Sequence, residues 1–238
     1  MNSGTLLVTK LMAPTLAPTP SSTPGMITLP EPTIACRRNV TAPLVTLRYS
    51  SGTPAYYQHY LRGEMTHFEC LAAYFGSLRC TESELLEVIH TMELEPGLPG
   101  LVEQLKSAGW AVVVASAGCA YYIDRLLAAA GVLLPVHASP GRWRGDGLGL
   151  EMTLPTDSPF LSASVGIDKA AVVRDALTRG EVAFAGDGHT DVPAALLVPP
   201  HLRFAKDDCA NDLRRRGEAF TRFDNWGEVA ANLLQHGR

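Results

Sequence analysis

The chain has 238 residues, of which 46% are hydrophobic, and a formal net charge of −4. This length and composition suffice for one domain of ordinary size with a small insertion and a full hydrophobic core. The weak acidic charge gives no indication of a nucleic-acid or anionic-membrane partner. No apolar run reaches the roughly 18 to 20 residues that a membrane span needs. The N-terminus also lacks the basic patch and apolar core of a signal peptide.

The cysteines are odd in number, widely spaced and form no Cys-x-x-Cys pair. They are Cys36, Cys70, Cys80, Cys119 and Cys209. This usage predicts reduced thiols in a cytoplasmic protein and argues against a disulfide framework or a zinc site.

Residues 1–54 differ in composition from the rest of the chain. Eight prolines fall among many threonines and serines, and no helical periodicity is present. We therefore expect an atypical, poorly ordered segment. Two short runs, residues 5–12 and 43–49, are candidate strands. The chain contains no aspartate before Asp124.

Residues 55–95 have the pattern of a small helical insertion. Apolar residues recur at three- and four-residue spacing in segments 56–62, 67–78 and 82–92. Thr81 and Glu84 match a capping box at the start of the third helix. Three helices without intervening strands predict a small helical insertion.

Residues 96–238 alternate between strand and helix patterns, which predicts an α/β fold with a Rossmann-like, doubly wound parallel sheet. The continuous apolar run at 111–115 indicates a strand buried on both faces. The predicted strands are 111–115, 135–139, 182–185 and 201–205, with one arm of a hairpin at 147–153. The predicted helices are 98–108, 119–130, 167–178, 192–197, 207–216 and 226–235.

An apolar strand ends in the turn Gly186-Asp187-Gly188, and Asp191 follows four residues after Asp187. Glycines beside an aspartate at the end of a parallel strand place the carboxylate at the sheet edge, where ligands bind in open sheets. Two aspartates at this spacing can hold a hard cation, directly or through water. The simpler alternative is a strand-to-helix turn with Asp191 near a helix N-terminus.

Two further residues stand at element boundaries. Ser116 follows a predicted buried strand, and its hydroxyl with the amides of Ala117 and Gly118 is suited to a phosphate. The alternative is that Ser116 only caps the next helix. Lys169 opens a predicted helix, where the helix dipole disfavours a cation. A role in neutralising a bound phosphate would account for a lysine at this position. The alternative is that Lys169 is a solvated surface lysine.

The order of Ser116, Lys169 and the Gly-Asp-Gly-x-x-Asp loop resembles motifs two, three and four of the haloacid dehalogenase superfamily of phosphohydrolases. The sequence YLRGE at 60–64 and ECL at 69–71 resemble the small helical cap of its phosphoserine-phosphatase-like branch. FAKD at 204–207 and FDNW at 223–226 resemble the C-terminal end of the branch that includes 2-hydroxy-3-keto-5-methylthiopentenyl-1-phosphate phosphatase. The resemblance covers about residues 55–238.

This resemblance implies a Mg²⁺-dependent phosphatase acting on a small phosphorylated metabolite, and it leaves the oligomeric state open. It assigns phosphate binding to Ser116, Ala117, Gly118 and Lys169, metal binding to Asp187 and Asp191, and catalytic roles to Ser116, Lys169 and Asp191. Asp191 would brace either the metal shell or Lys169. Phosphoryl transfer depends largely on positioning and charge neutralisation, which these residue types supply. The cap would close over the substrate and select it.

The sequence departs from the family at its first motif, Asp-x-Asp-x-Thr, whose aspartates act as nucleophile and general acid/base. Residues 49–53 retain only a Gly-Thr pair. Either residues 1–54 are not the ancestral N-terminus, through a frameshift, a wrongly chosen start or a replacement, or the chain binds phosphorylated ligands without hydrolysing them. A third alternative is a folding-defective product, unless residues 5–12 or 43–49 fill the central strand position. We expect little or no phosphatase activity.

Overall fold

The computed structural model describes residues 4–8, 35–36 and 45–46 at the level of the backbone, and residues 56–92 and 94–236. The chain divides into two compact units. The first consists of Met1–Leu11, Leu94–Pro140 and Thr153–Arg238, and the second of Met12–Glu93 and Gly141–Met152. Within the described ranges, no helix combines the length and apolarity needed to cross a membrane.

The helices and strands follow the predicted alternation from residue 96 onwards. In chain order the strands are β1 (Gly4–Val8), β2 (Ala35–Cys36), β3 (Val45–Thr46), β4 (Trp110–Cys119), β5 (Val136–Ser139), β6 (Gly141–Trp143), β7 (Leu150–Met152), β8 (Leu161–Ser162), β9 (Gly166–Ile167), β10 (Glu181–Gly186), β11 (Arg203–Ala205) and β12 (Thr221–Arg222). The helices are α1 (Tyr56–Leu61), α2 (His67–Gly76), α3 (Glu82–Thr91), α4 (Leu98–Ser107), α5 (Ala120–Ala129), α6 (Lys169–Leu177), α7 (Val192–Ala195), α8 (Asp207–Arg215) and α9 (Trp226–His236).

The first unit is built on a six-stranded parallel sheet with the strand order β12-β11-β10-β1-β4-β5. The candidate strand at residues 5–12 supplies β1, which pairs with β10 on one side and β4 on the other. In that register Val8 lies opposite both Ala185 and Val114. β1 therefore fills the central strand position of the sheet, whose loss was the reason to consider a folding-defective product.

Helices cover both faces of this sheet, because successive side chains of each buried strand point to opposite faces. On β10, Ala183 and Ala185 pack with α4, α5 and α9, whereas Val182 and Phe184 pack with α6, α7 and α8. The apolar content of β10 on both faces is typical of a parallel strand inside a doubly wound sheet. The predicted α/β fold class is confirmed.

The second unit contains α1 to α3 and the antiparallel hairpin of β6 and β7. Both α2 and α3 begin with a complete capping box, Thr66 with Glu69 and the predicted Thr81 with Glu84. Gly149, at φ +79°, lies against the end of α2, where a Cβ would come within 2.7 Å of the Gly76 carbonyl oxygen. A glycine is therefore required where the hairpin meets the helix.

Candidate active site

Ser116 and Asp187 reach the same edge of the sheet from strands on either side of β1. Ser116 lies two residues beyond Val114, and Asp187 lies two residues beyond Ala185, while both Val114 and Ala185 pair with Val8. Because neighbouring strands are about 4.8 Å apart, the two backbones are separated by roughly 10 Å at this level. The register therefore brings these predicted residues to one edge, with the end of β1 between them.

The backbone around Ser116 differs from the predicted strand-to-helix turn. Strand β4 continues through residues 116–118 to Cys119, which is the N-cap of α5. The Ser116 side chain is buried, and its Oγ accepts a hydrogen bond from the Gly118 amide at 3.0 Å. Ser116 is therefore not the cap of α5, and its hydroxyl stays at the sheet edge.

Lys169 is buried and forms an ion pair with Asp191, which is also buried. It is the first residue of α6, whose N-cap Asp168 accepts a hydrogen bond from the Ala171 amide. The exposed fractions of Lys169 and Asp191 are 7% and 1%, so the alternative of a solvated surface lysine does not apply. The structure brings together two predicted residues that are 22 positions apart in the sequence.

The second Asp191 oxygen is held by its own loop. Oδ2 accepts hydrogen bonds from the amides of Asp187 at 2.8 Å and Gly188 at 2.9 Å. A Cβ on Gly186 would come within 2.7 Å of the Asp191 side chain, so this close approach needs a glycine. These contacts fix the loop geometry and thereby the direction in which Asp187 leaves the strand.

Burial alone would raise the pKa of Asp191, because it removes water from the carboxylate. The charge of Lys169, its hydrogen bond and the two loop amides act in the opposite direction and together lower the pKa below its ordinary value. Asp191 is therefore ionised at neutral pH. An ammonium group carries three N–H donors, so Lys169 can serve a further acceptor while it holds Asp191.

Asp187 is anchored by contacts that its sequence neighbourhood does not indicate. Its carbonyl oxygen accepts a hydrogen bond from the Cys209 amide at 2.9 Å, and the Lys206 amide donates to Gly186 at 3.1 Å. Both donors lie at the start of α8, after strand β11. The side chain of Asp187 is half-buried at the carboxyl end of β10.

The donor set at this edge suits a cation that needs few protein ligands. Among the described residues, no three His, Cys, Asp or Glu side chains are grouped closely enough to hold a metal. Asp191 accepts hydrogen bonds from Lys169 at Oδ1 and from the two loop amides at Oδ2. The roles of Asp191 as a brace for Lys169 and as a metal ligand stay predictions. Mg²⁺ commonly takes one or two carboxylates together with waters and phosphate oxygens, so Asp187 fits such an ion.

No carboxylate is available on β1 as the structure describes it, from Gly4 to Val8. The residue two positions beyond Val8 in the sequence is Lys10, and residues 9–55 hold a single carboxylate, Glu31. Lys10 and Glu31 lie outside the described residues. In the sequence, Lys10 is the second residue after Val8. The residues at the same distance after the two partners of Val8 are Ser116, which carries a hydroxyl, and Asp187, which carries a carboxylate.

The chain belongs to the haloacid dehalogenase-like hydrolase family, whose sequence pattern matches residues 15–196. The predicted superfamily is thereby confirmed, and the match begins after β1. No curated protein matches the sequence.

Solved structures with the same fold include phosphatases of the predicted branch. A probable phosphoserine phosphatase from Vibrio cholerae has 22% identity and a TM-score of 0.56, with 78% of this chain and 58% of that chain covered. A haloacid dehalogenase family hydrolase from Salmonella enterica serovar Typhi has 20% identity and a TM-score of 0.57, covering 79% and 63%. The chain thus spans less than two thirds of either protein. At these identities the similarity establishes a common fold.

Proposed function

We propose that this protein is a Mg²⁺-dependent, phosphatase-like protein that binds a small-molecule phosphate monoester and hydrolyses it slowly or not at all. The observation that carries the proposal is the buried Lys169–Asp191 pair beside Asp187 at the carboxyl edge of the sheet. A buried ion pair is seldom the most stable filling of a protein interior. Its position where parallel sheets bind ligands supports a role in anion binding.

Each residue of the proposed site has a separate task. Ser116 would donate a hydrogen bond from its hydroxyl to a phosphate oxygen, with the Ala117 amide nearby, while the Gly118 amide donates to the Ser116 Oγ. Lys169, held by Asp191, would neutralise part of the phosphate charge. Asp187 would hold Mg²⁺. When bound, this ion neutralises charge on the phosphate oxygens and orients the phosphate group.

The limited turnover follows from the sequence after β1. In this family the covalent intermediate forms on an aspartate of the first motif, and residues 9–55 contain no aspartate. Binding depends on Ser116, Lys169 and Asp187, all of which are present, so binding is expected without efficient hydrolysis. The alternative of a non-catalytic phosphate-binding or regulatory module uses the same residues and differs only in turnover. The natural ligand we expect is a small phosphorylated metabolite of the cytoplasm.

Calorimetric titration with inorganic phosphate, in the presence and absence of Mg²⁺, tests this proposal. Mg²⁺ is expected to strengthen phosphate binding to the wild type and to Asp157→Asn, a control at an exposed aspartate in the same unit. In Asp187→Asn the Mg²⁺ effect should be lost, while binding through Ser116 and Lys169 remains. A folded wild-type protein that binds no phosphate would contradict the proposal, as would an unchanged Mg²⁺ effect in Asp187→Asn.

A further inference from the structure

The loop that carries Asp187 is attached to helix α8 by a pair of side chains as well as by its backbone. His189 begins the short 3-10 turn His189–Asp191, and its Nδ1 lies 2.7 Å from Oδ2 of Asp212 on α8. The Asp212 side chain is only 15% exposed and also pairs with Arg215. The loop therefore has a side-chain anchor two residues beyond the proposed metal ligand.

The side-chain pair and the backbone contacts lie on the same part of α8. The Cys209 amide donates to the Asp187 carbonyl oxygen at 2.9 Å, and Asp212 follows Cys209 by three residues. Residues three apart on a helix are neighbours on its surface. Helix α8 thus holds the loop at two points, at Asp187 itself and at His189.

The charge on Asp212 determines which atom donates the hydrogen bond. The hydrogen bond with His189 and, to a smaller extent, that with Arg215 lower the pKa of Asp212 below its ordinary value. The carboxylate is ionised at neutral pH and can only accept, so the Nδ1 atom of His189 donates. Hydrogen bonds to an ionised group are stronger than those between neutral groups.

We infer that His189 and Asp212 are positioning residues, whose hydrogen bond fixes the loop so that the Asp187 carboxylate is held in one direction for Mg²⁺. This inference rests on the proposed function, because it concerns the same metal site. Mg²⁺ demands nearly ideal octahedral geometry, so its affinity depends on how firmly a ligand is held. Both residues act through Asp187 and contact neither the ion nor the phosphate.

Calorimetric titration with inorganic phosphate at a series of Mg²⁺ concentrations tests the inference. In Asp212→Ala the Mg²⁺ concentration that gives half of the enhancement should rise about three- to tenfold, the effect of one hydrogen bond. Phosphate binding without Mg²⁺, which depends on Ser116 and Lys169, should not change. The control Asp208→Ala removes an equal charge from the same helix, at an exposed carboxylate 3.4 Å from the His189 ring, and should change the Mg²⁺ dependence less than about twofold.

Two substitutions of His189 test which ring nitrogen is needed. The amide nitrogen of asparagine takes about the position of histidine Nδ1, whereas that of glutamine lies near the position of Nε2. His189→Asn should therefore keep the Mg²⁺ dependence of the wild type, and His189→Gln should weaken it as Asp212→Ala does. Combining His189→Gln with Asp212→Ala should give no further loss, because both remove the same hydrogen bond.

The outcomes separate this inference from the proposed function. A wild type with the Mg²⁺ enhancement, and an Asp212→Ala variant with the same Mg²⁺ dependence, would overturn the inference and leave the proposed function standing. Equal losses in Asp212→Ala and Asp208→Ala would show an effect of charge alone, and losses that add in the double variant would show independent effects. Either result would overturn the inference, as would a loss of Mg²⁺-free binding in Asp212→Ala.

A folded wild type whose phosphate binding does not respond to Mg²⁺ would remove the proposed metal site and this inference with it. Urea unfolding of each variant establishes that the compared proteins are folded.

Discussion

Replacing Lys169 by methionine tests whether the buried ion pair has the electrostatics that the structure indicates. Methionine keeps much of the side-chain length and removes the charge, so Asp191 remains buried and keeps the hydrogen bonds from the Asp187 and Gly188 amides. Breaking one side of a buried pair typically destabilises a protein by about 3 to 5 kcal/mol. Because the two amides still compensate the carboxylate, we expect a loss at the lower end, about 3 kcal/mol at pH 7.

The loss should depend on pH in a defined direction. In the wild type the pKa of Asp191 is lowered, so its stabilising contribution is present above the ordinary carboxyl pKa of about 3.9 and is lost as the pH falls through the lower folded value. Without Lys169, burial becomes the dominant effect and raises the pKa of Asp191. The folded variant then takes up a proton before the unfolded chain does, so its stability deficit shrinks as the pH falls from 7 toward about 4.5.

Urea unfolding followed by the fluorescence of the buried tryptophans Trp110 and Trp226 measures this at both pH values. The matched control is Lys106→Met, which removes a half-exposed lysine that pairs with Glu103 at 3.2 Å. Such a surface pair contributes at most about 1 kcal/mol. The reasoning is refuted if Lys169→Met is as stable as the control, or if its deficit is the same at both pH values.

Two further substitutions probe close packing and a buried guanidinium. Gly118→Ala places a Cβ where the Tyr122 hydroxyl lies and is expected to weaken phosphate binding about tenfold. The control is Gly100→Ala, at a helical site where an added Cβ has no atom within 4 Å, and it should stabilise the protein by up to about 1 kcal/mol. Equal phosphate affinities of the two variants would contradict the expected effect of Gly118→Ala. Arg203→Lys removes the buried guanidinium group, which donates hydrogen bonds to Glu218 and to the carbonyl oxygens of Ala195, Val198 and Ala219. The free energy of unfolding in urea should fall by about 2 to 3 kcal/mol. Its control is the exposed Arg216→Lys, expected to change stability by less than about 0.5 kcal/mol, and equal stabilities would show that the fork is not needed.

Local patterns in the sequence predicted most elements from residue 96 onwards. The predicted helix at 98–108 is observed as Leu98–Ser107, because apolar spacing and the glycine after it are local signals. The predicted end of the strand after residue 115 is wrong. Strand β4 continues to Cys119, which pairs with Ser139 of β5, and the sequence gives no local sign of that pairing.

The sequence indicated β1 only as one of two candidate strands for the central position of the sheet. Its five residues, GTLLV, are a short apolar run in a segment rich in proline and threonine. What selects this run for the interior of the sheet is its pairing with β4 and β10, both more than 100 residues away in sequence. Pairings of that kind depend on tertiary context more than on strand propensity.

The candidate site was predictable as a set of residues but not as a set of contacts. Gly-Asp-Gly-x-x-Asp, Ser116 and Lys169 are visible as motifs at element boundaries. The pairing of Lys169 with Asp191 arises from the packing of α6 at the sheet edge, and the position of the Tyr122 hydroxyl over Gly118 arises from the packing of α5. The spacing between Gly118 and Tyr122 in the sequence carries no signal of this contact, so only the folded chain indicates it.

The central claim is that the site keeps the residues proposed to bind phosphate and Mg²⁺, whereas the chain lacks the nucleophilic aspartate of the first motif. Its most direct test is hydrolysis of p-nitrophenyl phosphate by the folded protein with Mg²⁺, compared with Asp187→Asn prepared in the same way. We predict that the wild type shows no turnover above that of Asp187→Asn, although it binds inorganic phosphate. Robust turnover that Asp187→Asn abolishes would contradict the claim, and its loss in Glu31→Gln would identify the replacement nucleophile.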